Sequence, residues 1–524
     1  MKKYFKKLVS VLLCVSMVFS LCASGASAAD NAEIVTVSCK EASENLNADV
    51  PVIFVTGLEG EYYKGLSTET EEDDVRIWGP ETDVILDVVI NNIGKLLLYL
   101  VFNNYDAIID LLGEAAGEIF GDFSCNENGV PNPDTGKKNT SSYELKPING
   151  YENSYNFIYD WRLDMSTIAA QLDEYVKYVM ELTGSDKVAF AAMSMGNAVM
   201  TTYLYEYYYT AENYSQRNHI DSVIFIAGAM NGVGTCEDPF SGNMAVDSTS
   251  LMRMLSELMC GNESTETVYK VLEVLYSLDM FEPIVNYVNN LNTQLIEHGL
   301  NDAVIDTIGT VPGFYALMGA ERYEQTRAFI FNTPEKQAKY AKIIEMSDYY
   351  HECVQANNTK VIQSMLDDGI NTAIIAEYGY TIIPITSDND RMSDGTIATD
   401  RESFGATCAE VDGTLGENYK QAKECECGKN HVSSDNQIDA STCAFPDITW
   451  FGKYLRHTSG NEYLAELANL IFYSEEQVTV WTYSEYPQYL INLDGESLVP
   501  LTAENAGEVV TYEKTTALGK IFSK

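Results

Sequence analysis

The chain has 524 residues, of which 33 are basic and 77 are acidic, so its formal net charge at pH 7 is −44. A surface with this charge repels the phosphates of nucleic acids and of anionic membranes, which argues against nucleic acid as a partner. Any contact with lipid would therefore use apolar surface, such as that of apolar helices, instead of a basic patch.

Residues 1–28 have the pattern of a secretory signal peptide, with a basic start, an apolar middle and small residues at the end. Ala26 and Ala28 form an Ala-x-Ala site, so we expect cleavage near Ala28 and a secreted protein. Neither Cys14 nor Cys22 follows the small residue that a lipoprotein signal has. The sequence therefore predicts a released protein and not a lipid-anchored one.

Short apolar segments recur along the chain and predict buried strands. Segments with the three- and four-residue spacing of amphipathic helices separate them, as at Ile168–Leu182 and Glu462–Phe472. Near-continuous apolar strands that alternate with helices are typical of a mostly parallel sheet with helices on both faces. The five predicted strands are Val50–Val55, Asn156–Asp160, Val188–Ala192, Ser222–Ala227 and Thr372–Ala376.

Two long helical segments interrupt this alternation. We interpret residues 84–123 as a helical insertion after the first strand and residues 236–367 as a helical cap over the carboxyl ends of the strands. The core is then divided into residues 49–235 and 368–473. Beyond the core the sequence VTVWTY and then EVVTYEK alternate, so residues 474–524 are predicted to form a small β-rich extension.

Ser194 lies at the centre of the segment VAFAAMSMGNAVM, which passes from a strand pattern to a helix pattern. A nucleophilic serine on such a turn takes a strained conformation, and the residues two before and two after it must be small. Ala192 and Gly196 meet this requirement. The pattern favours a nucleophile of the α/β-hydrolase type, and the alternative is a small residue at a strand end.

Two backbone N–H groups are candidates for stabilising the oxyanion that such a nucleophile creates. The first strand ends in Gly57-Leu58, where the first loop of a hydrolase sheet supplies one donor from Leu58. The residue after the nucleophile, Met195, supplies the second. A plain tight turn at Gly57 is the alternative interpretation.

Several motifs resemble those of lecithin:cholesterol acyltransferase and its relatives, which include a lysosomal phospholipase that transfers acyl chains. The chain departs from their pattern at Met193, where they have histidine, and at Met230, where they have proline. The motifs are PVIFVTGLEG (51–60), YDWRLD (159–164), MSMGNAV (193–199), FIAGAMNG (225–232) and SDGTIATDRES (393–403).

This resemblance implies an α/β-hydrolase fold and a serine-dependent lipase, phospholipase or O-acyltransferase that acts on lipid-type carboxylic esters. It also places Asp394 as the acid of the catalytic triad. In such enzymes the histidine follows the acid along the chain, and only His431 and His457 follow Asp394. We expect His457 to be the base because it lies between a strand pattern, ITWFGKYL, and a helix, whereas His431 lies in a polar loop rich in cysteine.

The expected reaction passes through an acyl-enzyme on Ser194, from which water or an alcohol takes the acyl group, and it needs no metal or organic cofactor. Trp161 is a candidate for substrate binding, although with Arg162 it can equally hold the sheet edge together. Two other functions stay open. One is a soluble esterase, thioesterase or peptidase on the same fold, and the other is a catalytically degenerate binding protein of the cell surface.

Nine cysteines follow the predicted signal peptide, and a secreted chain can oxidise them. Cys408, Cys425, Cys427 and Cys443 form a cluster along the sequence, with His431 among them. We favour disulfides for this cluster. A metal site and free thiols are the alternatives, although the spacing is not that of a common zinc module.

Overall fold

The computed structural model describes residues 50–58, 62–65, 75–78, 92, 95–96, 98–100, 102–120, 122–137, 154–211, 218–259, 266–382, 384–387, 389–425, 427–457, 461–493 and 497–507. The predicted signal peptide and the segment EVVTYEK lie outside these residues. Among the helices that are described, none combines the length and the apolar character needed to cross a bilayer.

An eight-stranded sheet lies at the centre of the molecule, in the spatial order β8-β7-β6-β5-β4-β3-β1-β2. All neighbouring strands are parallel except the last pair, β7 and β8. The chain therefore has an α/β architecture with a mostly parallel sheet. The strands are β1 Val52–Val55, β2 Ser154–Phe157, β3 Val188–Met193, β4 Ile220–Ile226, β5 Asn371–Tyr378, β6 Thr449–Lys453, β7 Tyr489–Asn492 and β8 Leu498–Pro500.

The helices begin and end where local sequence signals place them. They are α1 Tyr105–Phe120, α2 Met165–Thr183, α3 Gly196–Leu204, α4 Gly234–Phe240, α5 Ser248–Met259, α6 Glu266–Ser277, α7 Glu282–Glu297, α8 Leu300–Val304, α9 Pro312–Tyr315, α10 Ala320–Ile330, α11 Pro334–Lys339, α12 Ala341–Tyr349, α13 Asn358–Asp367, α14 Thr399–Glu402 and α15 Asn461–Phe472.

Helix α2 shows how these signals act. The Asp164 side chain caps the helix by accepting a hydrogen bond from the Thr167 N–H, and Gly184 ends it with a φ of 70°. Ile168, Leu172 and other apolar residues at helical spacing are buried against the sheet. The aspartate cap explains why the helix begins at Met165, three residues before the predicted start.

All five strands predicted from apolar segments are present as β1 to β5, and the strand pattern before His457 is β6. The alternating segment VTVWTY (478–483) was expected to be β structure, and this expectation is wrong. Val478 and Val480 are buried, but from a turn, in which the Val480 N–H donates to Asp447 O and the Thr482 hydroxyl accepts from the Thr479 N–H. The tail instead adds β7 and β8 to the sheet edge.

Short strands outside the central sheet were not predicted, because two to four residues carry too little periodicity to detect. Within the predicted insertion of residues 84–123, α1 is described in full, whereas the first expected helix lies partly outside the described residues. The short strands are Tyr62–Lys64, Val75–Trp78 and Thr135–Lys137 in one sheet, Tyr380–Thr381 with Met392–Ser393, and Thr407–Cys408 with Ile438–Asp439.

Residues 236–367 are mostly helical, and part of this segment packs on loops at the carboxyl ends of the strands. A Cβ at Gly313 would lie 1.9 Å from Trp161 O, in the loop after β2. The Val233 N–H, in the loop after β4, donates to Leu317 O over 2.8 Å. The residues around α9 therefore lie against two of the loops that leave the carboxyl edge of the sheet.

The closest backbone approach in the core is between β1 and the start of α3. A Cβ added to Gly196 would lie 2.3 Å from Val55 O and 2.5 Å from Thr56 O. We predict that Gly196→Ala lowers the free energy of unfolding by about 3 kcal/mol, because backbone atoms cannot move aside as a flexible side chain can. The urea midpoint of the purified variant measures this loss.

The matched control is Gly117→Ala in helix α1, where an added Cβ meets nothing within 4 Å. Alanine in an open helical position is expected to raise the stability by about 0.5–1 kcal/mol. Equal urea midpoints for the two variants would contradict the close approach at Gly196.

Candidate active site

Ser194 occupies the sharp turn between β3 and α3, with a φ of 53°. This left-handed conformation is strained for a residue with a Cβ, so the surroundings must hold it. The Ser194 N–H donates to Ile226 O over 3.1 Å, and Ser194 O accepts from the Ala229 N–H over 3.2 Å. These bonds to the end of β4 fix the turn, and the serine side chain is half-buried at the carboxyl edge of the sheet.

The His457 ring lies between Ser194 and Asp394. Its Nε2 atom is 2.8 Å from Ser194 Oγ, and its Nδ1 atom is 2.5 Å from Asp394 Oδ2. A base that contacts a hydroxyl on one side and a carboxylate on the other can accept the hydroxyl proton. His431, the other histidine that follows Asp394, is fully buried beside Gln488 and is not part of this group.

Asp394 is held as a carboxylate. Its Oδ1 atom accepts from the N–H groups of Thr396 and Ile397, both over 2.7 Å. Burial alone would raise the pKa of Asp394, but the charge and hydrogen bond of His457, with further hydrogen bonds, hold it below its ordinary value. The anionic oxygen therefore keeps the proton of His457 on Nδ1, so the Nε2 lone pair faces the serine hydroxyl.

The loops that carry Asp394 and His457 are fastened to one another. Asp394 follows β5 through a short hairpin, and His457 follows β6, the neighbour of β5 in the sheet. The Tyr454 N–H donates to Tyr378 O over 2.7 Å, and the His457 N–H donates to Asp394 O over 3.2 Å. The acid and the histidine are thus positioned by adjacent strands and not by a free loop.

The two candidate oxyanion donors lie on either side of the serine. A Cβ at Gly57 would be 2.9 Å from the Ser194 Cβ, so the loop that carries Leu58 touches the nucleophile. Met195 is the residue before the first turn of α3. Within the described part of the chain neither the Leu58 nor the Met195 N–H has a hydrogen-bond acceptor. Both donors are therefore open to an oxygen atom of a ligand.

Trp161 does not lie where it could contact a substrate, and this expectation is corrected. Its ring is fully buried, with its centroid 5.1 Å from that of Trp78 and 5.0 Å from that of Phe123. Aromatic packing accounts for its place. Its neighbour Arg162 meets a carboxylate as expected, with Nη2 2.7 Å from Asp160 Oδ2.

Two buried carboxyl groups beside Asp394 were missed. Ligand atoms of Asp394, Glu402 and His457 lie within 4.8 Å of one another, and Glu402 Oε2 accepts from the Glu377 N–H. Among the described residues, neither oxygen of Glu377 nor Oε1 of Glu402 has a hydrogen-bond donor. The three ligand atoms are close enough for a metal ion, but both ring nitrogens of His457 already have partners in Ser194 and Asp394.

Burial, together with the charge of Asp394, raises the pKa of both Glu377 and Glu402 well above the ordinary value. Both are therefore neutral acids at pH 7, and the buried group holds one negative charge, on Asp394. A glutamate at the end of the apolar segment TAIIAE was an available signal, because a strand end at this edge of a parallel sheet borders the site.

Comparison with known proteins gives little further information. No family model matches the chain, and no curated protein matches it. A solved structure of the Tle4–Tli4 complex is similar at 11% sequence identity with a TM-score of 0.24, over 63% of this chain and 75% of that chain. A TM-score this low supports no conclusion about fold or function.

The raised pKa of Glu377 predicts how stability depends on pH. The folded state keeps a proton that the unfolded state loses near pH 4.3, so stability falls as pH rises, by about 1.4 kcal/mol per pH unit until the folded-state pKa is reached. Glu377→Gln removes this loss. We expect the melting temperature of the variant to exceed that of the wild type at pH 8, with a difference that grows between pH 5 and pH 8.

The control is Glu475→Gln, which changes an exposed carboxyl group. Its melting temperature should follow that of the wild type at every pH. A difference between Glu377→Gln and the wild type that stays constant with pH would show that Glu377 is not buried as a neutral acid.

Proposed function

We propose that this chain is a serine hydrolase with an α/β-hydrolase core that acts on carboxylic esters of lipids, by hydrolysis or by transfer of the acyl group to an alcohol. The observation that carries the proposal is the hydrogen-bonded series Ser194, His457 and Asp394, with distances of 2.8 Å and 2.5 Å. This is the arrangement of nucleophile, base and orienting acid that acyl transfer requires.

The topology of the sheet supports the fold assignment. The strand order reverses between β1 and β3, and ligands of open parallel sheets bind outside the carboxyl ends at such a point. Gly57 follows β1 and Ser194 follows β3, so both border this point. The nucleophile, acid and histidine follow β3, β5 and β6 in the chain order typical of α/β-hydrolases.

The proposed reaction begins when Ser194 Oγ attacks the carbonyl carbon of the ester while His457 Nε2 accepts the hydroxyl proton. The carbonyl electron pair moves to oxygen, and the N–H groups of Leu58 and Met195 donate to this oxyanion. The carboxylate of Asp394 stabilises the imidazolium. When the intermediate collapses, the alcohol leaves with the proton from His457, and the acyl group remains on Ser194.

The second half of the reaction releases the acyl group. Water or an alcohol attacks the acyl carbon, His457 takes the proton from the attacking oxygen, and collapse returns that proton to Ser194 Oγ. Each proton and electron pair is accounted for by these three side chains. The steps therefore require neither a metal nor an organic cofactor.

An exposed apolar face on the helical segment supports a lipid substrate. Val271, Val274 and Leu278 are 55%, 56% and 63% exposed, and their three- and four-residue spacing places them on one side of α6 and its end. Because the whole chain carries a charge of −44, this face suits a zwitterionic lipid surface better than an anionic one. The motifs shared with the acyltransferase family agree with a lipid ester.

The nucleophile is tested by labelling with a fluorophosphonate probe, which reacts with an activated serine hydroxyl. We predict that the wild type is labelled on Ser194 and that Ser194→Ala is not labelled. The variant should keep the wild-type melting temperature and lose about three or more orders of magnitude of ester hydrolysis.

The control is Ser474→Ala, which removes a hydroxyl that bonds to the backbone of Glu476 and should leave labelling unchanged. Failure of the wild type to react would favour a degenerate binding protein, and equal labelling of Ser194→Ala would exclude Ser194 as the nucleophile.

The substrate class is tested on the apolar face of α6. We predict that Val274→Asp lowers hydrolysis of phosphatidylcholine vesicles by about tenfold, because burying a valine side chain contributes about 1.5 kcal/mol. Hydrolysis of a short, soluble p-nitrophenyl ester should not change. The control Val130→Asp alters another valine that is 53% exposed and should leave both activities unchanged. Equal activity of Val274→Asp on vesicles would favour the soluble esterase.

A further inference from the structure

We propose that Cys425, Cys427, His431 and Asp447 form a binding site for one zinc ion, independent of the function proposed above. A ligand atom from each of the four side chains lies within 4.8 Å of the other three. No sulfur in this group forms a disulfide among the described residues. The disulfides favoured from the sequence are therefore not formed at Cys408, Cys425, Cys427 or Cys443.

The separations between ligand atoms match a tetrahedral zinc site. Cys427 Sγ lies 3.1 Å from His431 Nε2, which lies 3.7 Å from Asp447 Oδ1. Cys425 Sγ lies 3.8 Å from Asp447 Oδ2. Zinc bonds of about 2.0 Å to nitrogen and about 2.3 Å to sulfur give ligand separations of about 3.3–3.8 Å around a tetrahedron. Small adjustments of these four side chains would complete the site.

The tautomer of His431 is fixed in the form that a metal needs. The amide nitrogen of Gln488 donates to two backbone carbonyls, those of Pro446 and Thr449, so its Oε1 atom is the acceptor. His431 Nδ1 is 2.8 Å from this oxygen and must carry the proton. The Nε2 lone pair is therefore left facing Cys427 Sγ, inside a ring that has no exposed surface.

Two other groups hold the remaining ligands in the way that outer-shell donors do in metal sites. The indole N–H of Trp481 donates to Asp447 Oδ1 over 2.8 Å. The Lys429 N–H points at Cys427 Sγ over 3.3 Å. A sulfur that accepts a backbone N–H bond beside an imidazole lone pair is suited to be a thiolate ligand.

The donor set selects the metal. Two thiolates and one imidazole suit a borderline-soft ion such as zinc, whereas calcium and magnesium prefer oxygen ligands. Four protein ligands leave no open position for water or substrate, which is typical of a structural site and not of a catalytic one.

The position in the fold indicates what the ion would stabilise. Asp447 lies two residues before β6 begins, and Gln488 lies one residue before β7. The Tyr489 hydroxyl donates to His431 O, which joins the same loop to β7. The ion would therefore fasten the loop of residues 425–431 to the amino ends of two strands of the central sheet.

The proposal is tested on the full secreted chain, purified with zinc and then desalted. Metal analysis is expected to find about one zinc per chain in the wild type and in the control Cys353→Ser, which changes a half-buried cysteine outside the group. Cys427→Ser should lose most of this zinc. Cobalt in place of zinc should give the visible absorption of a tetrahedral site and a sulfur-to-cobalt charge-transfer band.

A second measurement uses only the wild type, in case Cys427→Ser does not fold. Thiol alkylation followed by mass spectrometry should show Cys425 and Cys427 protected, and a chelator should expose both while the alkylation of Cys353 stays the same. The chelator should also lower the melting temperature, and added zinc should restore it. A wild type without zinc, a disulfide between Cys425 and Cys427, or protection that a chelator does not change would overturn the proposal.

Discussion

The candidate site depends on the contact between the end of β1 and the turn that follows β3. Gly196 has no side chain, so α3 begins where a Cβ would lie 2.3 Å from the carbonyl oxygen of Val55. The same approach brings Gly57 against Ser194, whose φ of 53° is held by hydrogen bonds to the end of β4. Strain in one residue is thus supported by three parallel strands, and the hydroxyl is placed where two loops end.

Electrostatics then decide which buried carboxyl group carries the charge. Like charges repel strongly in a medium of low polarisability, so a buried group of three carboxyls cannot ionise fully. Asp394 receives two backbone N–H bonds and the ring of His457, whereas the oxygens of Glu377 have no donor among the described residues. The hydrogen bonds therefore select Asp394 as the anion, and the neutral glutamates fill space beside it without competing for the histidine.

Sequence patterns predicted the features that local structure determines. The apolar segments placed β1 to β5, the small residues around Ser194 placed the turn, and the strand before His457 placed the histidine. The errors concern contacts between distant segments. The burial of Trp161 depends on rings at positions 78 and 123, and the cysteine group includes Asp447, which no spacing within residues 425–431 indicates. VTVWTY alternates as a strand does, but its valines enter the core from a turn.

Strand β6 connects the two ends of this argument. All five of its residues are buried, and it pairs with β5 on one side and β7 on the other. Its amino end is held beside Asp447, and the segment beyond its carboxyl end by N–H bonds from Tyr454 and His457 to the β5 side. At about 3.3 Å per residue, five residues separate these ends by about 17 Å. An ion at one end therefore cannot touch the ester at the other, and its effect on His457 would pass only through the stability of the strand.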